Sequence, residues 1–224
     1  MGVTRSGAGA MHRLTAWPRR IPLTLLLMVV IFAVAVLTGA LTGGTPAADV
    51  ARWGFSLDNL RRGRILTIFT GDMMVYNSRH FLSILAMLAA FVAPVEWLAG
   101  SEIAAAVYWP GSIGGSLIAS ATTALLEAIT TWSPDPDMVS VADIGASVAA
   151  WSAAGALTVL LGLVDARFVW PVRLAFGAFL LGRVVLYTET GDLAHAAGFC
   201  LGIGIAHLWL ATHTPIPVAR GEAA

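Results

Sequence analysis

Six apolar stretches, each long enough as a helix to cross about 30 Å of hydrocarbon, constrain this chain more than any other feature. They run Ile21–Leu41, His80–Ala99, Ile103–Leu126, Val141–Val164, Phe168–Tyr187 and Asp192–Ala211 in a sequence of 224 residues. A helix satisfies its own backbone hydrogen bonds, so in lipid such runs predict spanning helices. Composition points the same way: the chain is 58% hydrophobic and 12% charged, whereas soluble domains are about one quarter charged. A soluble fold of this size has no interior large enough for that much apolar surface. The sequence therefore predicts an all-α polytopic membrane protein, a six-helix bundle with the lipid bilayer as its solvent. The first run follows Arg13, Arg19 and Arg20. It is longer than a signal-peptide core and further spans come after it, so it reads as a first membrane helix.

Residues 1–20 read as an N-terminal tail, 21–213 as the membrane domain and 214–224 as a C-terminal tail. The first connection, 42–79, mixes Trp53, Phe55 and Phe69 with Arg61, Arg62 and Arg64. It is too apolar for a linker and is expected to pack beside the bundle as short interfacial helices. Trp132, Pro134 and Pro136 suit a turn at headgroup level in 130–140. Short remaining loops make successive helices antiparallel neighbours. Arg5, Arg13, Arg19 and Arg20 place the N-terminus in the cytoplasm by the positive-inside rule, and six alternating helices put Arg167 and Arg173 on the same side. Long loops weigh less in that rule, which accommodates the five arginines of the first loop on the outside. Every Lys/Arg position is Arg, a bias that points to a GC-rich bacterium and its plasma membrane.

Formal net charge is zero, and no basic stripe offers a nucleic-acid surface. The single cysteine, Cys200, excludes an internal disulfide and a cysteine metal site; it reads as a small buried apolar residue. No metal or cofactor is expected.

Polar residues inside apolar spans are costly and mark candidate chemistry. Helices two, four and six all start at the outer face. His80 stands at the start of helix two, Ser147 about two turns into helix four and His195 about one turn into helix six. A serine and a histidine from different helices can form a hydrolytic dyad, the imidazole taking the hydroxyl proton as the oxygen attacks a carbonyl. Gly198 and Gly202 follow His195 on one stripe, and Gly145 precedes Ser147, allowing close backbone approach. Trp151 lies one turn after Ser147, where an indole can orient the imidazole. His80 could donate to a developing oxyanion beside the Ser147 backbone N–H. Glu96, at the inner end of helix two, reads as a capping group. Trp109-Pro110-Gly111 and Gly114-Gly115 could kink helix three, and Arg183 could pair with Glu189. His207 and His213 receive no role.

Gly145-Ala146-Ser147 resembles the Gly-x-Ser motif of rhomboid intramembrane proteases. His195 with Gly198 and Gly202 resembles that family's histidine–glycine helix. His80 through Glu96-Trp97-Leu98-Ala99-Gly100-Ser101 is similar to its second helix, which ends Glu-x-x-x-Gly-Ser. Trp151 matches a position where the family often has an aromatic residue. The resemblance covers roughly residues 60–210. It implies an ATP-independent, metal-free serine endopeptidase that cleaves membrane-anchored proteins near the outer face, with Ser147 as nucleophile, His195 as general base and His80 in the oxyanion hole. Two positions depart from the family pattern. Val148 stands where Gly is usual and is expected to crowd the site, and Ile84 stands where Asn is usual. One lost oxyanion donor costs about 2–4 kcal/mol of transition-state stabilisation. Two other readings follow: a catalytically inactive rhomboid-like protein that binds transmembrane client helices, and a small transporter suggested by the helix-three kink.

Overall fold

The computed structural model describes residues 20–129, 143–187 and 190–213. Expectations for both tails, for the turn at Trp132–Pro136 and for Glu189 lie outside the described residues.

The described residues are helical, apart from connecting segments and one isolated β-bridge between Phe55 and Asp143. Helix α1 is Pro22–Leu37. The first connection contains three short helices, α2 Ala47–Trp53, α3 Leu57–Arg61 and α4 Thr67–Met73, as its apolar content predicted. Helix α5 spans Ser78–Ala99, with a π turn at Leu88–Val92. That turn falls immediately before Pro94, which lacks the N–H an α-helix would use there. Then come α6 Ser101–Ile129, α7 Ser147–Val164, α8 Val169–Tyr187 and α9 Thr190–Thr212.

Three of these segments are long and apolar enough to cross a membrane: Ser78–Ala99, Val169–Leu186 and Gly191–Thr212. The reasons the other three sequence runs differ are physical. Helix α1 has 16 residues, about 24 Å of rise. Helix α7 begins later than its apolar run suggested. Helix α6 is long enough but carries a buried polar stripe, Ser112, Ser116, Ser120 and Thr123. Large apolar side chains such as Leu26, Val29 and Phe32 on α1 and Trp170, Leu174 and Leu181 on α8 face outward, an exterior suited to lipid.

Glu96 joins three helices. Its side chain is 1% exposed. It accepts from the N–H groups of Leu23 and Thr24, both at 2.8 Å, from Thr24 Oγ1 at 2.7 Å and from Ser101 Oγ at 2.6 Å. The residue preceding α1, Ile21, has no side-chain cap to offer, so Glu96 satisfies the orphan donors from another helix. It caps the start of α1 and, through the Ser101 hydroxyl, ties the end of its own helix to the start of α6.

The core is built around α7, which packs against α6 and α9. Alanines 149, 150, 153, 154 and 156 are buried along it. Glycines bring the backbones together. A methyl group on Gly202 would lie 2.7 Å from the Ser152 carbonyl carbon, one on Gly155 2.9 Å from that of Phe199, and one on Gly198 2.9 Å from the Val148 carbonyl oxygen. Gly111 of α6 faces the Ser152 side chain, whose hydroxyl donates to Val107 O at 2.9 Å. This is the small-residue packing mode of membrane helices. Helix α6 runs through Pro110 as one element from Ser101 to Ile129.

Two sequence expectations need correction. Helix four starts at Ser147, not Val141, so the serine is not two turns deep along a helix. Cys200 is exposed, not buried: at 100° per residue it points away from the Gly198–Gly202 stripe that meets α7.

Candidate functional site

His195 Nε2 lies 2.9 Å from Ser147 Oγ. The two residues are 48 apart in sequence, and the contact follows from the close α7–α9 packing: Gly198 and Gly202, one and two turns after His195, remove the side chains that would hold the helices apart. Both side chains are partly buried.

Ser147 is the first residue of α7. Its backbone N–H therefore has no intrahelical acceptor, and the positive end of the helix dipole lies beside it. The segment before it is fixed by the first connection. Phe55 N–H donates to Asp143 O at 2.9 Å, Asp143 N–H to Phe55 O at 2.6 Å, and Gly145 N–H to Gly71 O at 2.8 Å. Gly71 is required by crowding, since a methyl there would meet Phe55 N at 2.9 Å. The short helices of residues 42–79 thus hold the serine in place. Burial raises the Asp143 carboxyl above the ordinary range, and the positive charge available on His195 acts in the opposite direction.

His80 lies on the other side of the Gly145 turn. Its backbone N–H is capped by Asn77 Oδ1 at 3.0 Å, and its Nδ1 accepts from Tyr76 N–H at 3.2 Å. That bond assigns the ring proton to Nε2, making this nitrogen a donor in the neutral ring. Tyr76 stacks on the imidazole with centroids 5.2 Å apart. Gly145 has φ +113°, and a methyl on it would lie 2.8 Å from His80 Nε2. Both facts require glycine. Gly145→Ala is expected to displace His80 and the Ser147 turn together, lowering covalent labelling of Ser147 by about 10²-fold or more, the scale of one lost oxyanion donor. Single-turnover labelling kinetics measure this; a rate within about threefold of wild type removes the turn from the site.

The two departures noted above have distinct local reasons. Val148 is buried between α6 and α9, with its Cγ1 facing Gly115 and Gly198. Glycines on both neighbours make room for the branched side chain, and the expected crowding is absorbed in the helix interface. Ile84 is buried one turn after His80, and its Cδ1 would lie 3.3 Å from a methyl on Gly145. It presents a methyl group where a polar side chain could have donated. Trp151 lies 6.3 Å from the His195 ring, tilted by 42°, and is braced by Phe91, Phe176 and Phe179 at 5.7–5.9 Å. This aromatic cluster restricts the imidazole from one side.

The structure adds groups that the sequence reading passed over. Asp192 Oδ1 lies 3.8 Å from His195 Nδ1. Arg183 pairs with Asp192 through Nε at 2.6 Å and Nη2 at 3.3 Å. The signal available was an acid one helical turn before a histidine, near an arginine inside an apolar run. Asp72, Ser112 and Tyr108 form a second buried polar group, with Ser112 Oγ donating to Asp72 Oδ1 at 2.9 Å. Asp72 Oδ2 and the Tyr108 hydroxyl have no hydrogen-bond partner among the described residues. At the far end of α9, Arg173 reaches Thr158 Oγ1 at 3.2 Å and His207 Nε2 at 3.3 Å, a link among α7, α8 and α9.

A hydroxyl in contact with an imidazole, next to a helix N-terminus and a second histidine donor, contains the parts of an acyl-transfer site. Among the described residues, no group of three or more His, Cys, Asp or Glu side chains is arranged to hold a metal ion. No family model matches the chain, and no curated protein matches it.

Proposed function

We propose that this chain is a rhomboid-type intramembrane serine endopeptidase, a six-span bundle with a cytoplasmic N-terminus that cleaves membrane-anchored proteins near the outer face. The observation that carries this reading is the 2.9 Å contact between Ser147 Oγ and His195 Nε2. His195 takes the hydroxyl proton as Ser147 Oγ bonds to the scissile carbonyl carbon and the carbonyl electrons move onto oxygen. The Ser147 N–H at the start of α7 and the His80 Nε2–H are the donors for that oxyanion. The imidazolium then returns its proton to the leaving amine as the C–N bond breaks, leaving an acyl-enzyme. Water, activated by the same imidazole, hydrolyses it.

A second reading is favoured by Ile84. With no donor at this position, the scaffold could bind client helices without cutting them. One experiment separates the two. A fluorophosphonate probe should label the purified wild-type protein, and Ser147→Ala should abolish labelling. His195→Ala should slow it by about 10³-fold or more, because the hydroxyl loses its base. Equal labelling of wild type and Ser147→Ala rejects the serine mechanism. Absent labelling together with client capture that survives Ser147→Ala selects the binding reading.

A further inference from the structure

We propose that Asp192, held by Arg183, is a positioning residue for His195, so that the site is a Ser–His–Asp relay and not a two-residue dyad. This inference rests on the proteolytic reading of Ser147 and His195 and extends it.

The argument begins with the two ring nitrogens. Nε2 of His195 faces Ser147 Oγ at 2.9 Å, and Nδ1 faces Asp192 Oδ1 at 3.8 Å. For His195 to accept the serine proton, Nε2 must be unprotonated, so the resting neutral ring must carry its proton on Nδ1. A group that favours Nδ1–H therefore also favours the reactive tautomer. Asp192 is placed to do this. It lies three residues before His195, one helical turn away on the same face. At 3.8 Å the contact is longer than a hydrogen bond, and it becomes an ion pair when the imidazole is protonated. Sites without substrate often show such long contacts, which shorten when the imidazole becomes charged.

Asp192 is itself constrained. Its side chain is 1% exposed, while that of Arg183 is 39% exposed. A buried carboxylate without a partner is strongly disfavoured. Here the guanidinium of α8 supplies two contacts, 2.6 Å to Oδ1 and 3.3 Å to Oδ2, and the N-terminal end of α9 adds its favourable dipole. The carboxylate is therefore matched, buried and fixed in direction. Asp143 is the other carboxylate whose charge reaches His195. Burial raises it, so its charge is lost first as pH falls, and it has no guanidinium partner among the described contacts. Around the imidazole the described groups that bear charge or titrate are thus Asp192 on its own helix, Asp143 ahead of α7 and Arg183 of α8, the last acting through Asp192. The aromatic face supplied by Trp151 fixes the ring plane but cannot choose between tautomers. Asp192 can.

Asp192→Asn tests the idea. Asparagine keeps size and polarity but can donate to Nδ1, which favours the unreactive tautomer. Two readouts are needed. Fluorophosphonate labelling of Ser147 is expected to slow by about 10²-fold or more. The 15N shifts of His195 in detergent-solubilised protein, assigned with His195→Gln, are expected to change from mainly Nδ1–H in the wild type to a substantial Nε2–H fraction in the variant. A merely structural role would lower the amount of folded protein without altering the tautomer of the folded fraction. If Asp192→Asn disturbs folding, Arg183→Gln provides the second variant. It leaves the carboxylate but loosens its direction, and it should give a smaller change in both readouts. Labelling within about twofold of wild type, or an unchanged tautomer, overturns the proposal. The spectroscopic readout does not depend on turnover. A wild type that fails to label sinks the proteolytic reading, and an unchanged tautomer sinks the role of Asp192.

Discussion

Gly202→Ala should leave little folded protein, although it adds a single methyl group. That methyl would meet the Ser152 carbonyl oxygen and lie 2.7 Å from its carbon and 3.0 Å from its Cα. All three are backbone atoms, so no side chain can rotate away. Ser152 cannot shift freely, because Gly111 of α6 also packs against its side chain and its hydroxyl is bonded to Val107 O. Three helices would have to separate. Overpacking a flexible core typically costs about 1–3 kcal/mol; a clash with immobile backbone belongs in the tail beyond about 4 kcal/mol. Domains are stable by only about 5–15 kcal/mol, so the change consumes much of the margin. Gly204, on the same helix two residues on, is the control. A methyl there meets nothing within 4 Å, and replacing a mid-helix glycine by alanine is favourable by about 0.5–1 kcal/mol. Thermal unfolding in mild detergent, with yield of monodisperse protein, should separate the pair. Similar melting temperatures for Gly202→Ala and Gly204→Ala would mean that α7 and α9 are not in backbone contact, and the Ser147–His195 approach would lose its explanation.

What the sequence made legible was what periodicity and residue size encode. The helix positions follow from long apolar runs. The Gly198–Gly202 stripe after His195 reads directly as a close-packing face, and its partner turned out to be Val148 and Ser152. The meeting of Ser147 with His195 was inferable from these. The start of α7 was not, because Val141 through Ala146 are mostly small or apolar and continue the hydropathy of the helix. What ends the helix there is tertiary: the paired bonds of Asp143 with Phe55 and of Gly145 with Gly71 use backbone groups that a helix would need. Hydropathy cannot encode partners as distant in sequence as Phe55 is from Asp143 and Gly71 from Gly145. The same limit hid Asp192. As the first polar residue of an apolar run it looked like a boundary, and only the arrival of Arg183 from α8 shows that it is buried.

Under the proposed rhomboid reading, the glycines account for how Val148 is accommodated. Val148 projects into space left by Gly115 and Gly198. Bulk removed from α6 and α9 is balanced by bulk added on α7, so a valine after the serine conserves interface volume. Ile84 has no equivalent compensation. Its neighbour Gly145 cannot supply a side-chain donor, which leaves His80 and the helix N-terminus to stabilise any oxyanion. The expected signature is a slow enzyme whose rate depends heavily on His80.

Stability should fall as pH rises from about 4 to about 8, and Asp72→Asn should remove most of that slope. Asp72 is a buried residue of α4, within the first connection, and its carboxyl is raised from an ordinary value of 3.8 to about 8. Burial is the main cause; the negative charge of Asp143 adds to it, and the hydrogen bond donated by Ser112 opposes both. The folded protein therefore keeps a proton on Asp72 in a range where the unfolded chain has released it. With the folded value above the unfolded one, stability is fully present below about pH 4 and is lost as pH rises toward 8, by about 1.4 kcal/mol per unit. The total is about 6 kcal/mol at most. Asparagine retains an acceptor for Ser112 and has no proton to lose. Melting temperatures measured from pH 5 to 9 in one detergent should fall steeply for the wild type and stay nearly level for Asp72→Asn; parallel slopes would show that Asp72 does not titrate in this range. The effect should reach the site as well. Asp72 adjoins Gly71, whose carbonyl holds the Gly145 N–H at 2.8 Å. A charge forming at buried Asp72, beside the acidic Asp143, is disfavoured where it stands, so α4 loosens and the turn that presents Ser147 loosens with it. Labelling of Ser147 should accordingly decline above pH 8 in the wild type and persist in Asp72→Asn, which ties the protonation of a buried loop acid to the geometry of the nucleophile.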